Sequence, residues 1–347
     1  MSRWPFLLNQ WYVAAKAKEL TAEPLGRVIC GEPVVMFRRE DGTAAALDDR
    51  CPHRHYALSS GRIVGNDIEC GYHGLRFNGA GTCTHMPAQK NIPAGFVVRA
   101  YPVVEKSGLV YIWPGAAAKA DAALIPDFFE NVAPGWRPVD GYRHVEANYQ
   151  LVIDNLLDLT HLTFVHPTTL AGPGIQENPL VVTVEGDQVK ARREMRGVDP
   201  APIFHVMRRF DGKIDRFQNI TFTPPNHVHI RIEASPAGAV DDPDLVHHVV
   251  LNHLTPETER TTHYFWSVSR RMKLDDAEVS HRLYEMNRAA FEEDATVLKR
   301  QQQMIDRYAR GVGDNSGPVL TNLEADKALS AARRIIRRKH DEEAAAG

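Results

Sequence analysis

Two short segments, Cys51-Pro52-His53 and Cys70-Gly71-Tyr72-His73, constrain this chain more than anything else in it. Each joins one thiol to one imidazole within a few residues, so a single loop can aim both at a metal. Two Cys and two His could also hold a structural zinc ion. The order Cys-x-His then Cys-x2-His, with Pro52, Gly71 and Gly74 in the loops, fits better with a two-iron, two-sulfur centre. In such a centre the cysteines hold one iron and the histidines the other, which raises the potential and suits a one-electron relay.

Around these loops the pattern is short apolar runs broken by Gly, Pro, Asn and Asp. Val28–Phe37, Ala44–Leu47, Ile68–Cys70, Phe96–Val104 and Leu109–Trp113 read as strands, giving an all-β first domain over residues 1–118. The small-residue stretch Gly115–Ala123 reads as the connection to a second domain, residues 119–347. There a strand near Arg143–Val145 precedes a helix over Tyr149–Thr160. Further strands are expected at Leu180–Glu185, Val189–Arg193, Arg216–Thr223, His227–Ala234, Val246–Leu254 and Thr261–Ser267. They suffice for a central antiparallel sheet. The spacing of Val279, Leu283, Met286, Ala290, Val297, Leu298 and Met304 predicts a long helix over Asp275–Tyr308. Leu323–Lys339 reads as a second amphipathic helix with Arg333, Arg334, Arg337 and Arg338 on its exposed side, followed by a frayed tail. The fold class expected is α+β.

With 347 residues the chain can form two domains. A net charge of −3 with interspersed acids and bases gives no reason to expect a nucleic-acid partner. No run of eighteen apolar residues suggests a membrane span, and Met1–Gln10 does not read as a secretory leader. Of four cysteines, Cys30 and Cys83 remain outside the metal loops and read as core filler, which fits a reducing cytoplasm.

The segment Asn155-Leu-Leu-Asp158-Leu-Thr-His161-Leu-Thr-Phe-Val-His166-Pro167 carries the second chemical signal. Five residues turn an ideal helix by about 140°, so His161 and His166 would not share a face. Pro167 pushes its predecessor out of helical conformation, and His166 can then turn toward His161. One distant carboxylate would complete a two-His-one-carboxylate site of the non-haem iron(II) type, with positions left open for dioxygen. Glu292, Glu293 and Asp294 are consecutive on the long helix and only one can face inward. Asp158 stands one turn before His161, where its carboxylate could accept that ring's free N–H and set its tautomer.

Together these segments resemble a known family. The chain is similar to the Rieske non-haem iron oxygenases, and within them to vanillate and dicamba O-demethylase oxygenase components. The likeness runs from Asn9-Gln-Trp-Tyr-Val-Ala14 through both metal loops and Tyr111-Ile-Trp-Pro-Gly115 to Phe291-Glu-Glu-Asp294. It implies a Rieske cluster on Cys51, His53, Cys70 and His73, and a mononuclear Fe(II) on His161, His166 and Asp294. It further implies that Asn155 lies near that iron, and that Asp158 reaches His73 of a neighbouring subunit in a homotrimer. His253 matches a histidine that bonds substrate in dicamba-type enzymes. Arg231 shares a strand face with His227, His229 and Glu233, a face that either lines the pocket or meets water, and is a second candidate substrate contact.

The activity implied is O2-dependent hydroxylation leading to O-demethylation of a methoxylated, vanillate-like aromatic. N-demethylation, aryl-methyl hydroxylation and ring hydroxylation would use the same iron chemistry. Since no glycine-rich dinucleotide fingerprint is present, electrons from NADH would come through a separate flavin and iron–sulfur reductase. A non-enzyme alternative is a Rieske electron carrier whose second domain only binds a ligand.

Overall fold

The structure, a computed structural model, describes residues 6–172, 174–239, 241–311 and 321–346. The first five residues, read above for a leader, lie outside the described residues. Two compact units divide the chain: 1–127 with Thr255–Thr258, and 128–254 with 259–346. The Gly115–Ala123 stretch lies wholly within the first unit, so the expected division after residue 118 falls short of the boundary at Asp127.

The first unit is all β in three antiparallel sheets. β1 (Tyr12–Lys16), β11 (Leu109–Ile112) and β10 (Val103–Lys106) form one; β2 (Leu25–Ile29), β3 (Glu32–Arg38), β4 (Ala44–Asp48) and β9 (Ala100–Tyr101) form another. The third, β5 (Arg62–Val64), β6 (Asp67–Glu69), β7 (Arg76–Asn78) and β8 (Cys83–His85), belongs to the metal-loop end. The apolar run at Val28–Phe37 is not one strand but a hairpin. It turns at Cys30 and Gly31, whose φ values of 51° and 81° match the twist of tight hairpins. Cys30 is nonetheless buried, and its N–H donates to Pro256 O at 2.7 Å. Cys83 packs beside Phe37, Leu47 and Phe77 in the core, as core filler should.

In the second unit, β12 (Arg137–Val145), β18 (Thr261–Arg270), β17 (Val246–Thr258), β16 (His227–Pro236), β15 (Ile214–Thr223), β14 (Gln188–Val198) and β13 (Val181–Glu185) form a seven-stranded sheet in that order. Its helices are α1 (Tyr149–Leu157), α2 (Leu162–Val165), α3 (Pro202–Met207), α4 (Ala277–Gly311) and α5 (Lys327–Ala345). The fold class is the expected α+β. Two expectations for α5 fail. The helix continues to Ala345 rather than fraying, and Arg333 is not on its open side but paired with Asp154 of α1, Nε to Oδ1 at 3.0 Å. The stem of a long cation can line a helix interface while its head finds a carboxylate. No helix among the described residues is long and apolar enough to cross a membrane.

Candidate active site

The two loops of the first unit are geometric copies. Cys51 N donates to Tyr56 O at 2.9 Å and accepts, at its own carbonyl, His55 N at 2.9 Å. Cys70 N donates to Leu75 O at 2.8 Å and its carbonyl accepts Gly74 N at 3.0 Å. The fifth position of each turn is left-handed: His55 at φ 57° and Gly74 at φ 72°. His55, otherwise a bystander, therefore does the backbone job of a glycine. Gly71 permits a close approach, since a Cβ there would stand 2.8 Å from Ser60 O.

This geometry sorts the ligand types by environment. Cys51 and Cys70 are buried among Leu58, Ile68, Leu75 and Phe77, whereas His53 and His73 are exposed with ring centroids 4.5 Å apart. Burial, aided by the adjacent Cys70, pushes the Cys51 thiol up to about 11. A thiol pushed up in this way stays protonated until a cation takes the proton's place. Buried sulfur and exposed imidazole fit a two-iron, two-sulfur centre that keeps its cysteine end dry and presents its histidine end outward.

In the second unit, Asp158 ends α1 and starts the next turn. Its backbone is extended (φ −111°, ψ 95°), and its carboxylate accepts Thr160 N at 2.9 Å and Thr160 Oγ1 at 2.7 Å. The expected continuous helix to Thr160 is thus broken at Asp158, a cap that satisfies its own donors. This corrects the reading of Asp158 as the acceptor for His161. The partner of His161 Nδ1 is the Asp158 main-chain oxygen, while the carboxylate faces Thr160. Either acceptor leaves Nε2 of His161 free to aim inward. After α2, His166 leaves helical geometry (φ −118°, ψ 48°), as Pro167 requires.

The rings of His161 and His166 then face Asp294 of α4. Asp294 Oδ1 lies 3.1 Å from His166 Nε2 and 3.5 Å from His161 Nε2, and the three groups offer atoms all within 4.8 Å of one another. Asn155 Nδ2 donates to the same Oδ1 at 3.1 Å. His161 Nε2 is buried without a hydrogen-bond partner. Burial holds the His161 pKa below its ordinary value despite Asp294, whereas the Asp294 and Glu293 carboxylates outweigh burial and raise that of His166. An orphaned buried imidazole nitrogen beside a second imidazole and a carboxylate is the donor set a divalent iron takes.

Glu293, weighed in the sequence only as one of three consecutive carboxylates, has a role of its own: its Oε2 accepts from His166 Nδ1 at 2.6 Å. Adjacent carboxylates thus serve opposite edges of one ring: Asp294 meets Nε2 and Glu293 holds Nδ1. Such support fixes the tautomer, and losing it typically costs about 10–100-fold in metal affinity or activity. Glu293→Gln is expected to weaken iron retention against a chelator by that factor without emptying the site, as read by iron content after timed dialysis.

An apolar pocket opens on the triad, walled by Leu156, Leu159, Phe204, Ile230, Ile232 and Phe291. Neither Arg231 nor His253 lines it. Side chains alternate across a strand, and register puts Ile230 opposite Val250 and Ile232 opposite His248 on the pocket face. Arg231, opposite Val249, and His253, opposite His227, point to the other face. There Arg231 lies 3.9 Å from buried Glu130. His253 Nδ1 meets His227 Nδ1 at 2.9 Å, and burial holds both rings far below the ordinary histidine range. The polar residues that do line the pocket beside the triad are Arg216, Gln218, His248 and Asn287. Arg216 and Gln218 were detectable in the sequence as polar interruptions of the alternating apolar face continued by Ile220 and Phe222.

An iron–sulfur fold followed by an iron-type triad at the mouth of an apolar pocket defines a class, the Rieske oxygenases, and comparison with known proteins agrees. Residues 10–102 match the Rieske [2Fe-2S] domain and residues 145–342 the vanillate O-demethylase oxygenase C-terminal domain. The chain is 38% identical to a putative toluene-4-sulfonate monooxygenase system iron–sulfur subunit of Comamonas testosteroni, covering 95% of this chain and 96% of the other. It is 36% identical to the dicamba O-demethylase oxygenase component of Stenotrophomonas maltophilia, covering 98% and 99%. The crystal structure of dicamba monooxygenase bound to dicamba superposes with a TM-score of 0.91 at 35% identity, covering 98% and 99%. The chain belongs to the Rieske non-haem iron oxygenases, among the relatives of vanillate and dicamba O-demethylases. It is a mono-oxygenase component whose cofactors are a two-iron, two-sulfur cluster and a mononuclear iron.

Proposed function

We propose that this chain is the terminal oxygenase of an aryl methyl ether O-demethylase. The observation that carries the reading is the union, in one pocket, of the His161–His166–Asp294 triad with apolar walls suited to an aromatic ring. Cys51, His53, Cys70 and His73 would hold the cluster, which relays single electrons. His161, His166 and Asp294 would hold the iron, which supplies dioxygen reduction and oxidation of a methyl C–H bond. One oxygen atom ends in the substrate and the other in water, with two electrons and two protons consumed. The resulting hemiacetal releases formaldehyde and leaves a phenol.

The protein's own groups orient and exclude. Asn155 and Glu293 hold Asp294 and His166 in place, and the leucine and phenylalanine walls keep bulk water from the reacting carbon. Electrons would come from NADH through a separate flavin and iron–sulfur reductase. Pairing the centres would use a head-to-tail homotrimer, a heterologous interface that closes into a ring.

A second reading, aryl-methyl hydroxylation, is favoured by the toluene-4-sulfonate relative. Both reactions oxidise a methyl carbon and differ in product. The test is a panel of methoxylated and methylated aromatics turned over with a Rieske-system reductase, reading formaldehyde and product mass. O-demethylation predicts formaldehyde with loss of a methyl group, whereas methyl hydroxylation predicts a benzylic alcohol and no formaldehyde. Iron analysis returning only the two cluster irons per chain would instead mean an electron carrier.

A further inference from the structure

The turn of α1 that supports two members of the triad is gripped from its far side by an arginine of α5. Asp154 and Asn155 are consecutive on α1, so their side chains leave the helix about 100° apart. Asn155 Nδ2 donates to Asp294 Oδ1 at 3.1 Å, on the side of the triad. Asp154 turns instead to α5, where Arg333 Nε donates to Oδ1 and to Oδ2 at 3.0 Å each, and Nη2 adds a further bond to Oδ2. The main chain of Asp154 then leads back to the site. Its carbonyl accepts Asp158 N at 3.0 Å, closing the last turn of α1, and the Asp158 carbonyl in turn meets His161 Nδ1. One helical turn thus steadies both Asp294 and His161, and Arg333 holds that turn from outside.

The pair is more than docking requires. α5 already buries Ala328, Ala331, Ala332, Ile335 and Ile336, an apolar face sufficient to seat an amphipathic helix. An ion pair at such an interface is a weak source of stability, because desolvation offsets the attraction. What it supplies is geometry. A guanidinium fork meets a carboxylate in one plane and at one separation, which fixes the rotation and height of α1 against α5. Asp154 depends on that partner: its side chain is 15% exposed, and burial holds its carboxyl above the ordinary range even with Arg333 beside it. Without the cation the carboxylate must reach for water or take a proton, and either frees the turn to move. Farther along α5, Arg338 and Lys339 both pair with Asp187 in the turn between β13 and β14. Those contacts tether the same helix to the sheet rather than to α1.

We infer that Arg333 is a positioning residue of the mononuclear iron site: through Asp154 it sets α1 so that Asn155 and the Asp158 carbonyl reach Asp294 and His161. Arg333 does not line the pocket and acts only through α1. The inference rests on the triad being the iron site proposed above.

The test is the rate at which a chelator strips the mononuclear iron(II) from the iron-loaded protein, with the Rieske spectrum of the same samples as the marker of a folded chain. Arg333→Met keeps the stem and drops the charge, and should speed iron loss about tenfold, the lower end of what outer contacts to ligands carry. Arg333→Lys keeps the charge without the fork and should recover part of that difference. Asp154→Asn should behave like Arg333→Met, and the double variant should be no faster than the faster single, since both remove one contact. Asp187→Asn, which loosens α5 at its other tether, should leave iron loss as in wild type. The electron paramagnetic resonance spectrum of the iron(II) nitric oxide adduct should change shape in Arg333→Met and not in Asp187→Asn, a response that lowered stability alone does not produce. Should Arg333→Met fail to fold, Arg333→Lys against Asp187→Asn makes the same comparison. Wild-type iron loss in the folded Arg333 variants, an equal effect of Asp187→Asn, or single effects that multiply in the double variant would each overturn the inference. If the wild type holds only the two cluster irons, the iron-site reading falls and this inference with it. A third iron whose release no variant changes removes this inference alone.

Discussion

His161→Ala, His166→Ala and Asp294→Ala should each abolish turnover and remove one iron per chain, while the visible and electron paramagnetic resonance spectra of the Rieske cluster stay as in wild type. The three side chains meet at atoms within 4.8 Å, and no other group of His, Cys, Asp or Glu among the described residues converges in that way. The choice between Asp294 and Glu293 is decided by which ring edge each meets. Asp294 is buried at 5% exposure and touches Nε2 of both histidines, whereas the Glu293 side chain is 38% exposed and touches only Nδ1 of His166. A ligand has to stand on the Nε2 side, where the two rings converge. Iron content, cluster spectra and formaldehyde release measured on the same samples check this. If Asp294→Ala keeps its iron and turnover while Glu293→Ala loses both, the carboxylate ligand is Glu293.

Much of this site could be read from the chain because its key residues are local. Pro167 dictates that His166 leaves the helix, and the Cys-x-His and Cys-x2-His spacings dictate two loops of matching geometry. Features that depend on long-range packing were hidden. The polarity of His227, His229, Arg231 and Glu233 shows that β16 has two unlike faces, but not which one carries the pocket. The pocket lies on the apolar face, with Ile230 and Ile232, as expected of ligand sites that are mostly apolar with few polar groups. The polar face meets buried Glu130 instead. Arg333 looked exposed by periodicity, since nothing local shows that Asp154 of a distant helix would stand beside it. The sequence pairs the Asp158 carboxylate with His161, whereas the ring's partner is the Asp158 main-chain oxygen. A capping aspartate turns its carboxylate to the next turn and leaves its carbonyl for the histidine three residues on.

That exchange of roles sharpens what Asp158→Asn should do. Within the chain the Asp158 carboxylate accepts both hydrogen bonds from Thr160, and an asparagine carbonyl can accept the same two. The bond from His161 Nδ1 goes to the main-chain oxygen, which the substitution leaves in place. His161 therefore keeps its acceptor and its orientation, and both metal centres should remain loaded with unchanged spectra. In the head-to-tail trimer proposed above, however, the Asp158 carboxylate would accept from the partner subunit's His73, and there the charge would matter. A neutral amide can offer its N–H to that imidazole as readily as its oxygen, and it loses the charge-assisted bond that links the two centres. Cluster reoxidation in a single turnover, started from pre-reduced protein with substrate and dioxygen, should slow by about 100-fold or more, the upper end of what such outer contacts carry. Because the iron site is intact in the variant, slow reoxidation would trace to the path between centres and not to a missing ligand. Reoxidation at the wild-type rate, or full activity in a protein shown by light scattering to be a monomer, removes the bridge.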